Sequence, residues 1–332
     1  MNEIKKQRVL SGMRPSGKLH LGHLAGALKN WVDLQKEYQC FYFVADWHAL
    51  TTEYADPANI YNDAREMVVD WLSCGIDPEQ SVIFVQSHIR EHAEFHLLLS
   101  MFTPIPWLER CPSYKELQKE LDQKDLNTYG FLGYPVLQAA DILIYRAHKV
   151  PVGEDQLPHL ELTRDIARRF NYLYGERLVV PEPMITAYPR VPGIDGRKMS
   201  KSYGNSIYLS DPEPVVREKI QRMVTDPARA YRKDPGNPDV CILYNLHKIY
   251  TPEEIRNRIR PECRSAAIGC TDCKEELLRF LIPAMEPIWK KREEILKDPD
   301  VFLKITRAGD QKALAFSQET MKIVREAMKI DY

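Results

Sequence analysis

Three groups of residues in this chain have types and spacings that can do chemistry. The first is Pro15-Ser16-Gly17-Lys18-Leu19-His20-Leu21-Gly22-His23, which follows a short apolar run and opens a segment with helical spacing. A helix N-terminus presents unpaired N–H groups and the positive end of a dipole, so it receives phosphate readily. Gly22 has no side chain to keep a nucleotide off the backbone. His20 and His23 share one helical face, from which both can donate to phosphate oxygens. The second group is Lys198-Met199-Ser200-Lys201-Ser202, between Gly193-Ile194-Asp195-Gly196-Arg197 and Tyr203-Gly204-Asn205. Two lysines flanking hydroxyl residues in a glycine-bracketed loop can close on a leaving pyrophosphate. Taken singly, the first group also reads as a surface turn and the second as a solvated basic loop. Their order, with a nucleotide-binding pattern of strands and helices between them, points to ATP chemistry.

The third group is Cys241, Cys263, Cys270 and Cys273, four of the chain's seven cysteines. The CxxC pair at Cys270 and Cys273 can give two thiolates to one metal centre, and the other two complete a Cys₄ set for zinc or an iron–sulfur cluster. Four free thiols are the plain alternative. Cys40, Cys74 and Cys111 lie in apolar or turn contexts and read as ordinary thiols.

These residues need a scaffold. Arg8–Gly12, Phe41–Asp46 and Ser81–Gln86 read as strands, and Leu21–Leu34 and Asn59–Cys74 between them as helices. That alternation predicts an α/β fold, a Rossmann-like parallel sheet wound with helices, over residues 1–206. Residues 207–332 change character: Val215–Met223, Pro252–Arg260, Cys273–Leu296 and Gln311–Met328 carry charged helical periodicity, and no convincing strand stands out. Ser210-Asp211-Pro212-Glu213-Pro214 marks the start of this mostly helical second domain.

The bulk properties set limits. A chain of 332 residues with 44% hydrophobic content can bury a sizeable core in about two domains. No apolar run approaches the length that spans a bilayer, and the polar N-terminus lacks a signal-peptide core, so the expected location is cytoplasmic, without membrane partners. Disulfides are not expected there. A net charge of −1 does not announce a nucleic-acid partner, so any basic surface must be local. Candidates are Arg217, Lys219 and Arg222; Arg229, Arg232 and Lys233; Arg256, Arg258 and Arg260; and Lys290, Lys291 and Arg292. Most alternate with acidic residues, as solvated helix faces do.

The first two groups resemble the signatures of class I aminoacyl-tRNA synthetases: the HIGH motif, here His20-Leu21-Gly22-His23, and an unaltered KMSKS loop. Between them lie Gly133-Tyr134-Pro135-Val136-Leu137-Gln138-Ala139-Ala140-Asp141-Ile142-Leu143, then Val150-Pro151-Val152-Gly153-Glu154-Asp155-Gln156 and His159-Leu160-Glu161-Leu162-Thr163-Arg164-Asp165. With Val44-Ala45-Asp46-Trp47-His48-Ala49-Leu50-Thr51, these segments are similar to the tryptophanyl-tRNA synthetases over nearly the whole catalytic region. The resemblance implies ATP with Mg²⁺, L-tryptophan and tRNA(Trp) as ligands. It implies a catalytic domain over 1–206, an anticodon-binding domain over 207–332, and a homodimer. It places His20, His23, Lys198 and Lys201 in catalysis. Arg14, Pro15, Ser16, Gly22, Gly153, Glu154, Asp155, Val191, Met199, Ser200 and Ser202 join His23, Lys198 and Lys201 around ATP. Asp141 would accept the indole N–H, an interaction that rejects analogues lacking the donor. Tyr134 and Gln156 match positions that hold the α-ammonium, Val150 and Val152 match apolar walls of the indole pocket, and His48 and Gln138 fall beside it.

Tyrosyl-tRNA synthetases share both signatures and a similar aspartate, but typically carry a tyrosine on the first strand to bind the phenol. The matching residue here is Leu10, which favours tryptophan. The chain departs from many bacterial tryptophanyl enzymes, which have Met at the place of Gln138, Gln at that of Arg14, and Thr and Asn at those of His20 and His23. The cysteines are similar to a C-x₂₂-C-x₆-C-x₂-C pattern that holds a [4Fe–4S] cluster in a subset of those enzymes, with the first gap one residue shorter. The resemblance therefore implies that cluster, with Zn²⁺ as the alternative. A small-molecule adenylyltransferase and a non-catalytic RNA-binding paralogue are the other readings; the helical domain argues against the former and the intact motifs against the latter.

Overall fold

A computed structural model describes residues 6–111, 127–185 and 191–332. Its sheet has five parallel strands: β1 (Arg8–Met13), β2 (Gln39–Val44), β3 (Ser81–Val85), β4 (Lys149–Val152) and β5 (Glu182–Ile185), in the order β3-β2-β1-β4-β5. The register of β1 on β2 runs from Arg8 opposite Gln39 to Met13 opposite Val44. Helices cover both faces, so the central strands are apolar on both sides; Phe41, Tyr42 and Val44 are fully buried. The chain moves outward from β1 to β3 and then crosses to β4 on the other side. That reversal opens a crevice at the carboxyl ends of β1 and β4, where open α/β sheets bind ligands. Arg14 follows β1 there and Gly153 follows β4.

The helix expected over Leu21–Leu34 is three segments: α1 (Leu21–His23), a π-helical stretch Leu24–Leu28, and α2 (Lys29–Glu37). Such π-bulges recur at functional sites. Asp46, read from sequence as the end of a strand, instead opens α3 (Asp46–Glu53). The helix expected over Asn59–Cys74 is α4 (Ile60–Ser73). Next come α5 (Glu91–Ser100), α6 (Ile105–Glu109), α7 (Tyr129–Ile144) and α8 (Leu157–Tyr174).

After the sheet come α9 (Glu213–Arg222), α10 (Ile242–Tyr250), α11 (Glu253–Arg264), α12 (Cys270–Ile295) and α13 (Val301–Met328). Among the described residues of this part there is no strand, only an antiparallel bridge from Tyr208 to His20. The sequence reading missed α10, which has no side-chain cap and little charge to mark its face. It also began α13 ten residues late. The last helix returns to the sheet. The Asp310 carboxylate accepts the Val85 N–H at 3.1 Å and lies 2.7 Å from His88 Nδ1. This covers the edge of β3, which would otherwise offer unpaired backbone groups. One apolar cluster joins Val9, Trp31 and Tyr42 of the sheet region to Leu243, Leu277 and Met285 of the helical region. The sheet region and the helical region are thus continuous in packing.

Gly309 permits the approach of α13: a Cβ there would lie 1.8 Å from the Ile83 carbonyl oxygen. The backbone oxygen cannot turn aside, so helix and strand must separate. Gly309→Ala is expected to lower unfolding free energy by about 3 kcal/mol, measured by urea denaturation; unchanged stability would contradict this packing.

Candidate active site

His20 is the N-cap of α1, and its ring folds back so that Nδ1 accepts the Gly22 N–H at 3.1 Å. His23 Nδ1 accepts the His20 N–H at 3.2 Å. With Nδ1 used as an acceptor on both rings, the proton of each neutral imidazole sits on Nε2, available to donate outward. The ring centroids are 3.9 Å apart. Burial pushes His20 down to about 4, and the ammonium groups of Lys201 and Lys198 push the same way. Burial, then His20 and Lys201, hold His23 well below the usual histidine range. Both rings are therefore neutral donors at neutral pH. Gly22 also leaves room for the His20 ring: a Cβ there would lie 2.9 Å from it.

The lysine loop is anchored by its middle. Met199 is buried with Val191, and its N–H reaches the Val191 carbonyl at 3.2 Å. Asn205, also buried, accepts the Ser200 N–H at 2.9 Å. Its Nδ2 donates to Asp195 at 2.7 Å and to the Lys198 carbonyl at 3.1 Å. Gly193 is required beside it, since a Cβ would fall 2.2 Å from Asn205 Nδ2. Lys198 is exposed. Lys201 folds back, and its ammonium donates to the Gly17 carbonyl at 2.6 Å. Gly17 has φ +107°, a conformation suited to glycine. Burial lowers Lys201 to about 8, against the pull of Asp63 and Asp70. The segment after the loop pairs with the one before His20: the Leu21 N–H donates to Ile207 O at 3.0 Å and the Leu209 N–H to Leu19 O at 2.9 Å.

Asp141, on α7, is buried and fully engaged. His48 Nε2 donates to Oδ2 at 2.7 Å, His92 Nδ1 to Oδ1 at 2.6 Å, and Gln86 Nε2 reaches the two oxygens at 2.8 and 2.9 Å. Burial alone would raise this carboxyl; the bonds from His48 and His92 overcome it and hold it below the ordinary aspartate value. His92 Nε2 accepts from the Tyr145 hydroxyl at 2.8 Å, a hydroxyl kept protonated chiefly by burial. Tyr134 faces His48 edge-on, with ring centroids 6.4 Å apart. The Tyr134 hydroxyl lies 3.0 Å from His159 Nε2, and Cys111 Sγ lies 3.4 Å from His159 Nδ1.

Gln138 is half-buried on α7, and Val150 and Val152 are buried in β4. Gln156 ends the turn after β4, following Gly153 and the exposed Glu154. Arg14 and Ser16 are exposed in the β1 crevice, and Pro15 is buried. The side chains of Asp155 and Ser202 lie outside the described residues. Gln86, His92 and Asn205 escaped the sequence reading. Gln86 directly follows β3, a position the strand-end rule would have flagged; nothing local marks His92 or Asn205.

The four clustered cysteines come together in space, for Cys241, Cys263 and Cys270 all act on Cys273, which burial first of all pushes up to about 12. As the side chains stand, no group of three or more metal-ligating residues is arranged to hold an ion among the described residues. Cys273 Sγ instead points at His247 Nε2, 3.3 Å away. The basic patches are corrected in part. Arg292 is buried and pairs with Asp70 and Glu66, so it cannot meet a nucleic acid. Arg229 is buried as well, with its Nε lacking a hydrogen-bond partner. Lys219 is held by Asp211 at 2.6 Å.

A parallel sheet with a crevice at β1/β4, with neutral histidine donors and two lysines near it, has the make-up of a nucleotide-binding site. The sequence model described as tRNA synthetases class I (W and Y) matches residues 2–285, and the chain belongs to that family. It is similar to the tryptophan--tRNA ligase of Thermotoga maritima, 54% identical over 97% of this chain and 99% of the relative. The corresponding ligase of Ralstonia nicotianae is 44% identical over 98% of this chain and 99% of its own. Among solved structures, the tryptophanyl-tRNA synthetase of Campylobacter jejuni, complexed with ADP and tryptophan, superposes with a TM-score of 0.87 at 34% identity, covering 97% of this chain and all of that one. No helix among the described residues is long and apolar enough to cross a membrane.

The depressed histidine predicts a titration. Histidine NMR should show the His20 imidazole neutral until pH falls to about 4. Because its folded value lies below the unfolded one near 6.5, folding stability should also decline as pH drops through that window. A His20 midpoint near the ordinary value would contradict the buried, lysine-flanked geometry.

Proposed function

We propose that this chain activates L-tryptophan with ATP and transfers it to tRNA(Trp). The observation that carries the reading is Asp141: a buried, ionised acceptor beside the ligand crevice, with apolar Leu10 on β1 where a phenol-binding tyrosine would stand. The names of the relatives support the same substrate. Each Asp141 oxygen already takes two donors, so an indole N–H must replace one of them. His48 is the donor with access, since its side chain is 11% exposed and that of His92 is 0%. Gln138, Val150 and Val152 flank the indole, and Tyr134 and Gln156 hold the α-ammonium.

In the first step a tryptophan carboxylate oxygen bonds to the α-phosphorus, and the bond to the bridging oxygen breaks to release pyrophosphate. His20 and His23 donate through Nε2 to the phosphate oxygens, while Lys198 and Lys201 neutralise the leaving group. Arg14, Pro15, Ser16, Gly22, Gly153, Glu154, Asp155 and Val191 line the nucleotide, with Met199, Ser200 and Ser202 on the loop. Mg²⁺ enters with the ATP. In the second step the terminal 2′-hydroxyl of the tRNA attacks the acyl carbon and AMP leaves. Residues 1–206 carry this catalysis and 207–332 the anticodon recognition, in the cytoplasm. A homodimer fits the exposed Leu97, Met101, Ile105 and Tyr129 on and beside α5–α7.

The Cys₄ set suits a [4Fe–4S] cluster, with Zn²⁺ as the alternative. Four thiols converge, and the Arg229 guanidinium beside Cys263 has a buried, unpartnered Nε that an anionic centre would stabilise. Such a centre would orient the helical part; binding would release the thiol protons. Metal analysis after anaerobic purification decides between iron and zinc, and metal-free folded protein would defeat both.

Tryptophan-dependent exchange of labelled pyrophosphate into ATP tests the function. Exchange with tryptophan and not tyrosine or phenylalanine is expected; exchange with tyrosine would overturn the substrate. Lys201 adds a pH signature. Its ammonium is needed charged and loses its proton near 8, so kcat/KM for ATP should fall as pH rises past about 8. Lys201→Arg, which stays charged, should abolish that fall, whereas a fall that persists in the arginine variant would rule out Lys201 as its source.

A further inference from the structure

We propose that Arg292 and Trp289, near the C-terminal end of α12, are positioning residues for adenylate formation. The Arg292 guanidinium forks onto two carboxylates of α4, one nitrogen to Asp70 and the other to Glu66. Asp70 is buried, and the backbone of Leu19, the residue before His20, is among the groups that hold its carboxyl down against burial. Three residues back along α12, the Trp289 indole donates to the Leu209 carbonyl at 3.1 Å, and the Leu209 N–H donates to the Leu19 carbonyl at 2.9 Å. The Leu19 carbonyl is thus tied to α12 through Leu209, and Asp70, gripped by Arg292 of the same helix, lies against the Leu19 backbone. The two lines of contact are independent and meet at Leu19, the residue before His20.

A bidentate guanidinium fixes direction as well as charge. Without it Asp70 would be a buried carboxylate with little compensation. Burial already pushes it up to about 6, so it would take up a proton and weaken as an acceptor for Leu19. Asp70 also contributes to the field that keeps Lys201 protonated. Arg292 therefore bears on both nucleotide-binding motifs without touching a substrate. The same helix begins at Cys270 and Cys273, so the cysteine-bearing end and the Leu19–His20 segment share one continuous element.

The test uses the full-length protein in tryptophan-dependent pyrophosphate exchange, with folded protein quantified by circular dichroism. Arg292→Gln should lower kcat at least about tenfold and leave KM for tryptophan within about twofold, because displacement of a catalytic group, not of the amino-acid pocket, is at stake. Trp289→Phe keeps the packing and removes the N–H; it should show the same split, more weakly. Arg292→Lys, with charge but no fork, should recover part of the loss. Unchanged kcat in Trp289→Phe and Arg292→Lys would reduce these contacts to packing and overturn the proposal, even where Arg292→Gln fails to fold. So would kcat and KM for tryptophan moving together. The inference rests on His20 serving the phosphates, and His20→Ala run in parallel separates the two. A wild-type rate there defeats the phosphate role, whereas a low rate there with normal Arg292 and Trp289 variants defeats the positioning role alone.

Discussion

Two backbone hydrogen bonds, Leu21 N–H to Ile207 O and Leu209 N–H to Leu19 O, hold the nucleotide site together. They join the segment entering the first motif to the segment leaving the second, although nearly the whole sheet lies between them in sequence. Beside this contact the His20 ring is held by the Gly22 N–H and the lysine loop by Asn205, and α12 braces the contact itself through Trp289. Geometry fixed in advance in this way lets a site stabilise developing charge without reorganising during the reaction.

The electrostatics follow from the same assembly. Two imidazoles and two ammonium groups share one part of the crevice; burial, then the Lys201 and Lys198 ammonium groups, keep His20 neutral, and burial with the nearby Arg14 guanidinium lowers Lys201. Neutral imidazole donors beside ammonium groups suit a polyanion. The amino-acid side is built in the opposite sense. There a single carboxylate is buried and kept ionised by surrounding donors. In the proposed reaction the cationic end would take the phosphates and the anionic end the indole.

Much of this was legible in the sequence because the chemistry is carried by short, contiguous motifs. The strand–helix alternation gave the sheet, and His20, His23, Lys198 and Lys201 could be picked out by type and spacing, whereas Asp141 was picked out only through the resemblance to the tryptophanyl enzymes. What could not be read was long-range. His92 and Gln86 are unremarkable on their own elements and meaningful only because folding brings them to Asp141. Asn205 looks like a loop residue until its three bonds are traced. Arg292 sits in a basic run that suggests a solvated face, yet its partners Asp70 and Glu66 are more than two hundred positions away. The return of α13 to β3 depends on a glycine in mid-helix, which local propensity counts only as a weakness.

The central claim is that Asp141 selects tryptophan through the indole N–H. The most direct measurement compares tryptophan with its benzothienyl analogue, in which sulfur replaces that N–H at nearly constant shape, in pyrophosphate exchange by the wild type and by Asp141→Ala. The account predicts that the wild type discriminates against the analogue by about 10³-fold or more in kcat/KM, and that the variant loses most of this preference. Equal kcat/KM for the two amino acids in the wild type would contradict it.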